Sequence, residues 1–153
     1  MTALPGDVVL EPMRDVHGFV LACLVDATTG MVLGSLQDRD DMRLPPAAAG
    51  AADVVNVLSM MTGEMAAKGD LEDVIVTLDS HYHLIRLLKR GPGRQLLLFV
   101  TVDRSQANLA MALREIRDFS VGLFSERDEE ALVTGDGTVH QDGSEIARYT
   151  SFR

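Results

Sequence analysis

His81 and His83 alternate in the chain, and in a β-strand that spacing aims both imidazoles at one face, where a metal ion could sit between them. A zinc site needs three or four converging ligands, and no third is indicated. Cys23, the only cysteine, falls inside an apolar run, and the nearby acids have no ligand-like spacing. The pair therefore reads as ordinary hairpin histidines. Cys23 reads as a small core hydrophobe, because a thiol buried among apolar groups keeps a raised pKa and stays protonated. The sequence holds no nucleophile elbow and no Gly-x-x-x-x-Gly-Lys-Ser/Thr phosphate loop, and Arg90-Gly91-Pro92-Gly93-Arg94 joins two strands rather than a strand and a helix. The expectation is a protein that is not an enzyme and holds no metal and no cofactor. Arg86, Lys89, Arg90 and Arg94 cluster in an otherwise acidic chain; they either contact an acidic partner or, the commoner role, keep a hairpin soluble. Met60, Met61 and Met65 offer either an adaptable binding surface or, again more commonly, core filling.

The elements that must position these residues centre on Glu72 to Phe119. Val74–Leu78, Tyr82–Leu88 and Leu96–Val102 are three runs of strand length, rich in β-branched or aromatic residues. The gaps between them, Asp79-Ser80-His81 and Arg90 to Arg94, are too short for a crossover helix, which predicts an antiparallel meander. Asp103, with Gln106 three positions on, has the spacing of a capping box, and the helix after it repeats Leu109, Leu113, Ile116, Phe119 and Leu123 on one face. Upstream, Phe19–Val25 is an unbroken apolar strand ended by Asp26 to Gly30, with Met31–Ser35 returning as a weaker edge. A short helix near Leu10 precedes it. Pro45-Pro46 opens a long helix to about Lys68, striped by Ala51, Val54, Val55, Leu58, Met61 and Met65.

Phe19–Val25 and Leu96–Val102 are apolar on both sides, so both faces of the sheet must be covered there and both strands belong at its centre. The economical arrangement is an α/β (α+β) fold: a five-stranded antiparallel sheet in the order 2-1-5-4-3, the long helix on one face and the two others opposite. It leaves the third strand, Asp73 to Asp79, as an edge with no proline to block it. Residues 1–124 form this domain. Residues 125–153 carry many acids and interspersed glycines and read as a mostly disordered tail, in which Ile146 to Phe152 is able to dock on a partner.

With 153 residues and a net charge of −9, the chain has the size of one domain and a field that repels phosphate backbones, so nucleic acid is not an expected partner. No apolar run approaches the roughly 18 to 20 residues needed to span a bilayer, and the first residues lack the pattern of a secretory signal, so a soluble, cytoplasmic protein is expected.

The element order and several local patterns resemble the roadblock family, the small proteins related to the roadblock light chain of dynein. The matching stretches are His17-Gly18-Phe19, Val25-Asp26-Ala27-Thr28-Thr29-Gly30-Met31-Val32-Leu33, and Leu97-Leu98-Phe99-Val100 followed by Asn108 to Arg114. They cover about Asp7 to Leu123. The chain departs from the pattern by Pro12 in its first helix and by Thr28-Thr29 inserted in its first hairpin. The resemblance implies a homodimer whose edge strands pair across a two-fold axis while the long helices lie side by side. Carried onto this sequence, the pairing edge is Asp73, Val74, Ile75, Val76, Thr77, Leu78 and Asp79, and the helix contact draws on Ala51, Val54, Val55, Leu58, Ser59 and Thr62. It also implies a non-enzymatic regulator or adaptor that binds a Ras-like small GTPase, as bacterial members resemble such regulators. The alternatives are a structural scaffold subunit of a larger complex and a small-molecule sensor with a pocket between sheet and helices.

Overall fold

The structure is a computed structural model that describes residues 10–38, 43–65, 69–89 and 95–134. A 3-10 turn (Glu11–Asp15) leads into β1 (Phe19–Asp26), β2 (Val32–Gln37), α1 (Leu44–Glu64), β3 (Asp73–Thr77), β4 (His81–Lys89), β5 (Gln95–Asp103) and α2 (Leu109–Thr134). The five strands form one antiparallel sheet in the order β2-β1-β5-β4-β3, as the burial argument requires.

Alternation along the central strands divides the interior into two cores. Ala22 and Leu24 of β1, Leu84 and Leu88 of β4 and Leu98, Val100 and Val102 of β5 face one way, onto Ala112 and Ile116 of α2 and Leu10, Met13 and Val16 around the 3-10 turn. Their neighbours Leu21, Cys23, Val25, Ile85, Leu87, Leu97 and Phe99 face the other way, onto Ala48, Ala51, Ala52 and Val55 of α1. Small residues on α1 let its backbone lie close to the sheet. Gly30, with φ +73, closes the β1–β2 turn directly against it; a Cβ there would meet the Cα of Ala49 at 3.3 Å. The inserted Thr28-Thr29 is absorbed by Asp26, whose Oδ1 accepts the amides of Thr28 (2.8 Å) and Thr29 (3.2 Å).

Three local expectations need correction. The first helix starts after Leu10, as expected, with Pro12 in its first turn, but it is only a five-residue 3-10 turn, and the chain is already extended at Val16. Asp103 does not cap α2: its Oδ1 is held by the amide (2.8 Å) and hydroxyl (2.6 Å) of Ser105, which closes a turn, and the helix starts later, where Asn108 Oδ1 accepts the Met111 amide at 3.1 Å. Helix α1 ends at Glu64 rather than near Lys68, and residues 66–68 lie outside the described ones. Helix α2 runs to Thr134; residues 135–153, most of the expected tail, and the 90–94 loop lie outside the described residues.

Gly18 lets the chain enter β1 beneath the β5–α2 connection. Its φ is +77, and a Cβ would come within 2.9 Å of the Asp103 carbonyl oxygen and 3.1 Å of the Ala107 nitrogen. Gly18→Ala should therefore lower stability by about 1–3 kcal/mol. Gly50→Ala, in open space on α1, should raise it by about 0.5–1 kcal/mol. Denaturant unfolding of the two variants, followed by circular dichroism, checks both signs.

Candidate self-association surface

The sheet has two edges, and they differ. β2 shifts register against β1 between Leu24 and Val25, where Leu24 faces Gly34 while Val25 faces Val32, so Leu33 is an extra residue. Such a bulge kinks and twists a strand and blunts an edge against further pairing. β3 pairs with β4 in unbroken register from Asp73–Arg86 to Thr77–Tyr82 and carries neither bulge nor proline.

The hydrogen bonds at the ends of β3 fix which groups point outward. The Leu87 amide donates to the Glu72 carbonyl and the Leu78 amide to the His81 carbonyl, both at 2.9 Å. Bonded pairs recur at every second residue of an antiparallel ladder, so Val74 and Val76 bond to β4, while Asp73, Ile75 and Thr77 aim their N–H and C=O groups away from the sheet. Ile75 is the exposed apolar residue at the middle of this row.

Charged groups brace the strand from behind. The Asp73 carboxylate accepts Arg86 Nη1 of β4 at 2.8 Å on one oxygen and Arg117 Nη2 of α2 at 3.3 Å on the other. Asp73 and Arg86 are mostly buried, so the pair is screened less than a surface ion pair. At the other end, the Arg104 guanidinium donates to the Leu78 carbonyl at 3.1 Å and lies over the Tyr82 ring, 5.5 Å from its centroid, tying the β3–β4 turn to the start of the α2 connection. Leu78 and Asp79, expected in the strand, lie in this turn.

The long helix presents an apolar outer side. Val54 is 40% exposed, Val57 63%, Met60 71%, Met61 49% and Met65 71%. Only Asp53 and Glu64 carry charge along α1. The methionines therefore do not fill the core: α1 lies flat on the sheet through Ala48, Ala51, Ala52 and Val55, and the methionines follow on its solvent side. Of the expected helix contacts, Ala51 and Val55 are turned into the protein's own core, whereas Val54 and Ser59 are exposed and Leu58 and Thr62 half-buried. The structure thus leaves Val54, Leu58, Ser59 and Thr62 at least partly exposed, together with Val57 and Met60, and buries Ala51 and Val55. The 3-4-4 spacing of Val54, Val57, Met61 and Met65 is the signal that locates the outer stripe. Arg117, off the apolar stripe of α2, had no sequence signal linking it to Asp73.

The residues first considered for chemistry are placed in structural roles. His83 Nδ1 lies 2.9 Å from Thr101 Oγ1 and its ring 5.3 Å from Phe99, while His81 Nδ1 lies 2.7 Å from Ser80 Oγ. Among the described residues no three metal-ligating side chains converge. Cys23 is fully buried, and desolvation pushes its thiol up to about 12. Arg86 is taken up by Asp73, and the loop holding Arg90 and Arg94 lies outside the described residues. A depression at the end of α1 is lined in part by Ser59, Thr62, Asp70, Leu71 and Gln95.

No family model and no curated protein matches the sequence. Solved structures do match the fold. MglB from Myxococcus xanthus aligns with a TM-score of 0.62 at 14% identity, over 82% of this chain and 85% of that one. An MglB described in a tetrameric arrangement gives 0.66 at 14% identity, over 80% and 90%. A roadblock/LC7 domain from Streptomyces avermitilis gives 0.64 at 20% identity, over 76% and 92%. The chain has the roadblock/LC7 fold.

Burial, and secondarily the charge of His81, lowers the pKa of His83 below its ordinary 6.5. The folded protein therefore binds fewer protons than the unfolded chain, and stability falls as pH drops below about 6.5 toward the lowered value. His83→Gln should flatten the dependence of unfolding free energy on pH in that window, which titration of denaturant midpoints between pH 5 and pH 7.5 would read.

Proposed function

We propose that this chain is a homodimer built on the β3 edge and the outer side of α1, and that the dimer acts, without catalysis of its own, as a regulator or adaptor that binds a Ras-like small GTPase and modulates its nucleotide cycle. The observation that carries the reading is an edge strand with no bulge or proline; a helix whose solvent side is apolar and nearly uncharged supports it. Each is a liability in a monomer, and each is removed by a second copy.

Pairing about a two-fold axis sets Ile75 against Ile75 of the second copy, with Asp73 facing Thr77 on either side. The outward groups of Asp73, Ile75 and Thr77 then complete one ten-stranded sheet. Val54, Val57 and Met61 meet their counterparts across the same axis. Methionine suits such a surface, because its flexible, polarisable side chain fits an irregular partner.

The shared fold with two MglB structures and a roadblock/LC7 domain supports assembly into multimers, which one of those MglB structures is described as having. The GTPase partner rests on the resemblance to the roadblock family. Within the described residues no helix is long and apolar enough to cross a membrane. A cytoplasmic setting, where such a GTPase is found, fits the single buried, protonated thiol.

The Ile75 amide points outward, so Ile75→Pro removes a donor from the seam while sparing the β3–β4 ladder. Light scattering at micromolar concentration should give twice the chain mass for the natural sequence, and self-association weaker by at least about tenfold for Ile75→Pro. Met61→Glu should weaken it likewise, by setting like charges on the helix contact. A natural chain that scatters as a monomer overturns the dimer. Incubation with the GTPase from the same source should change its rate of hydrolysis or nucleotide exchange; binding with both rates unchanged would instead mark a scaffold.

A further inference from the structure

Resting on the β3 edge described above, we infer that this edge has a second occupant besides another copy: the chain's own segment Ile146–Phe152, which pairs with β3 and competes with dimerisation. The edge carries acids at both ends, Glu72 and Asp73 at one and Asp79 at the other. Homotypic pairing centred on Ile75 ends at Asp73 and Thr77 and brings the turn that holds Asp79 toward Glu72 of the second copy, at both ends of the seam, between two chains of net charge −9. That arrangement is repulsive.

The C-terminal sequence is complementary where a second copy is not. Ile146-Ala147-Arg148-Tyr149-Thr150-Ser151-Phe152 contains β-favouring residues, no proline and no glycine, and it brings arginines at 148 and 153. An antiparallel register with Phe152 opposite Ile75 places Thr150 opposite Thr77, the last residue of β3, and Arg148 just beyond it, toward the turn that holds Asp79. The exposed isoleucine gains an aromatic neighbour, and the acid gains a cation. Arg153 falls beside Val74, within reach of Glu72. In that register Phe152 and Thr150 meet the outward N–H and C=O groups of Ile75 and Thr77.

The chain is long enough to return. Arg117 fixes α2 beside Asp73, and the helix then runs to Thr134, about 26 Å farther. Residues 135–145 contain three glycines and reach up to roughly 36–40 Å when extended. A tether of that length supplies an effective concentration on the order of millimolar, enough to compete with a micromolar second copy.

Amide hydrogen exchange on the full-length chain, from nanomolar to tens of micromolar, tests this against two full-length variants, Thr150→Pro and the double substitution Arg148→Glu with Arg153→Glu. The expected result is that the Ile75 and Thr77 amides are protected in the natural chain even at the lowest concentration. Both variants should lose about tenfold of that protection under dilution and dimerise about tenfold more tightly. If protection instead disappears on dilution, and both variants dimerise as the natural chain does, the edge belongs to the second copy alone and the inference falls while the dimer stands. If no form of the protein dimerises, yet both variants lose the protection, the dimer reading and the competition with it fall, while the pairing of the segment with β3 stands.

Discussion

Two strands that are apolar on both faces constrain everything else. β1 and β5 bury nearly every side chain in turn, Leu21 to Val25 in one and Leu96 to Val102 in the other. A strand of that kind is stable only when cover is supplied from both sides, since each exposed large apolar side chain forfeits roughly 1.5–3 kcal/mol of transfer free energy. Helix α1 covers one face, and α2 with the 3-10 turn covers the other. Once these two strands occupy the middle, β2 and β3 can only be edges. The outer strands are the ones least buried, β3 most clearly.

The two edges have been treated differently by the sequence. β2 is interrupted by a bulge, and its return turn is folded against α1 through Gly30. β3 is regular, and Asp73 at its start meets Arg86 of β4 and Arg117 of α2. The two arginines hold the first residue of the strand in place and offset the charge that Asp73 brings to the outward row. Arg104 does the same service at the turn, using a carbonyl and an aromatic face. These contacts make β3 a rigid template, which lowers the entropy lost when another strand adds to it.

The methionine side of α1 follows from how the helix lies. Contact with the sheet is made by alanines and one valine, so the helix axis sits low and the residues one turn away have nothing left to pack on. Exposure of Val57 and Met60 is therefore a consequence of close approach.

Sequence alone determined the strand count, their order, the two-sided cover and the identity of the open edge, because period-two alternation and unbroken apolar runs are local properties that survive any packing. It also located Ile75 at the centre of that edge. It did not determine which side of α1 would face inward: Ala51 and Val55 were grouped with Val54 because all fall on one apolar arc, and only the close approach of the helix to the sheet divides that arc into a buried half and an exposed one. Nor did it reveal Asn108 as the cap of α2, since Asp103 offers the same side-chain chemistry and only the turn closed by Ser105 decides between them. The Asp73–Arg117 pair, 44 residues apart, was likewise fixed only in three dimensions, where α2 crosses the first residue of β3. Local pattern encodes which elements exist; the distance between them, and so which side chains remain free, is set by packing.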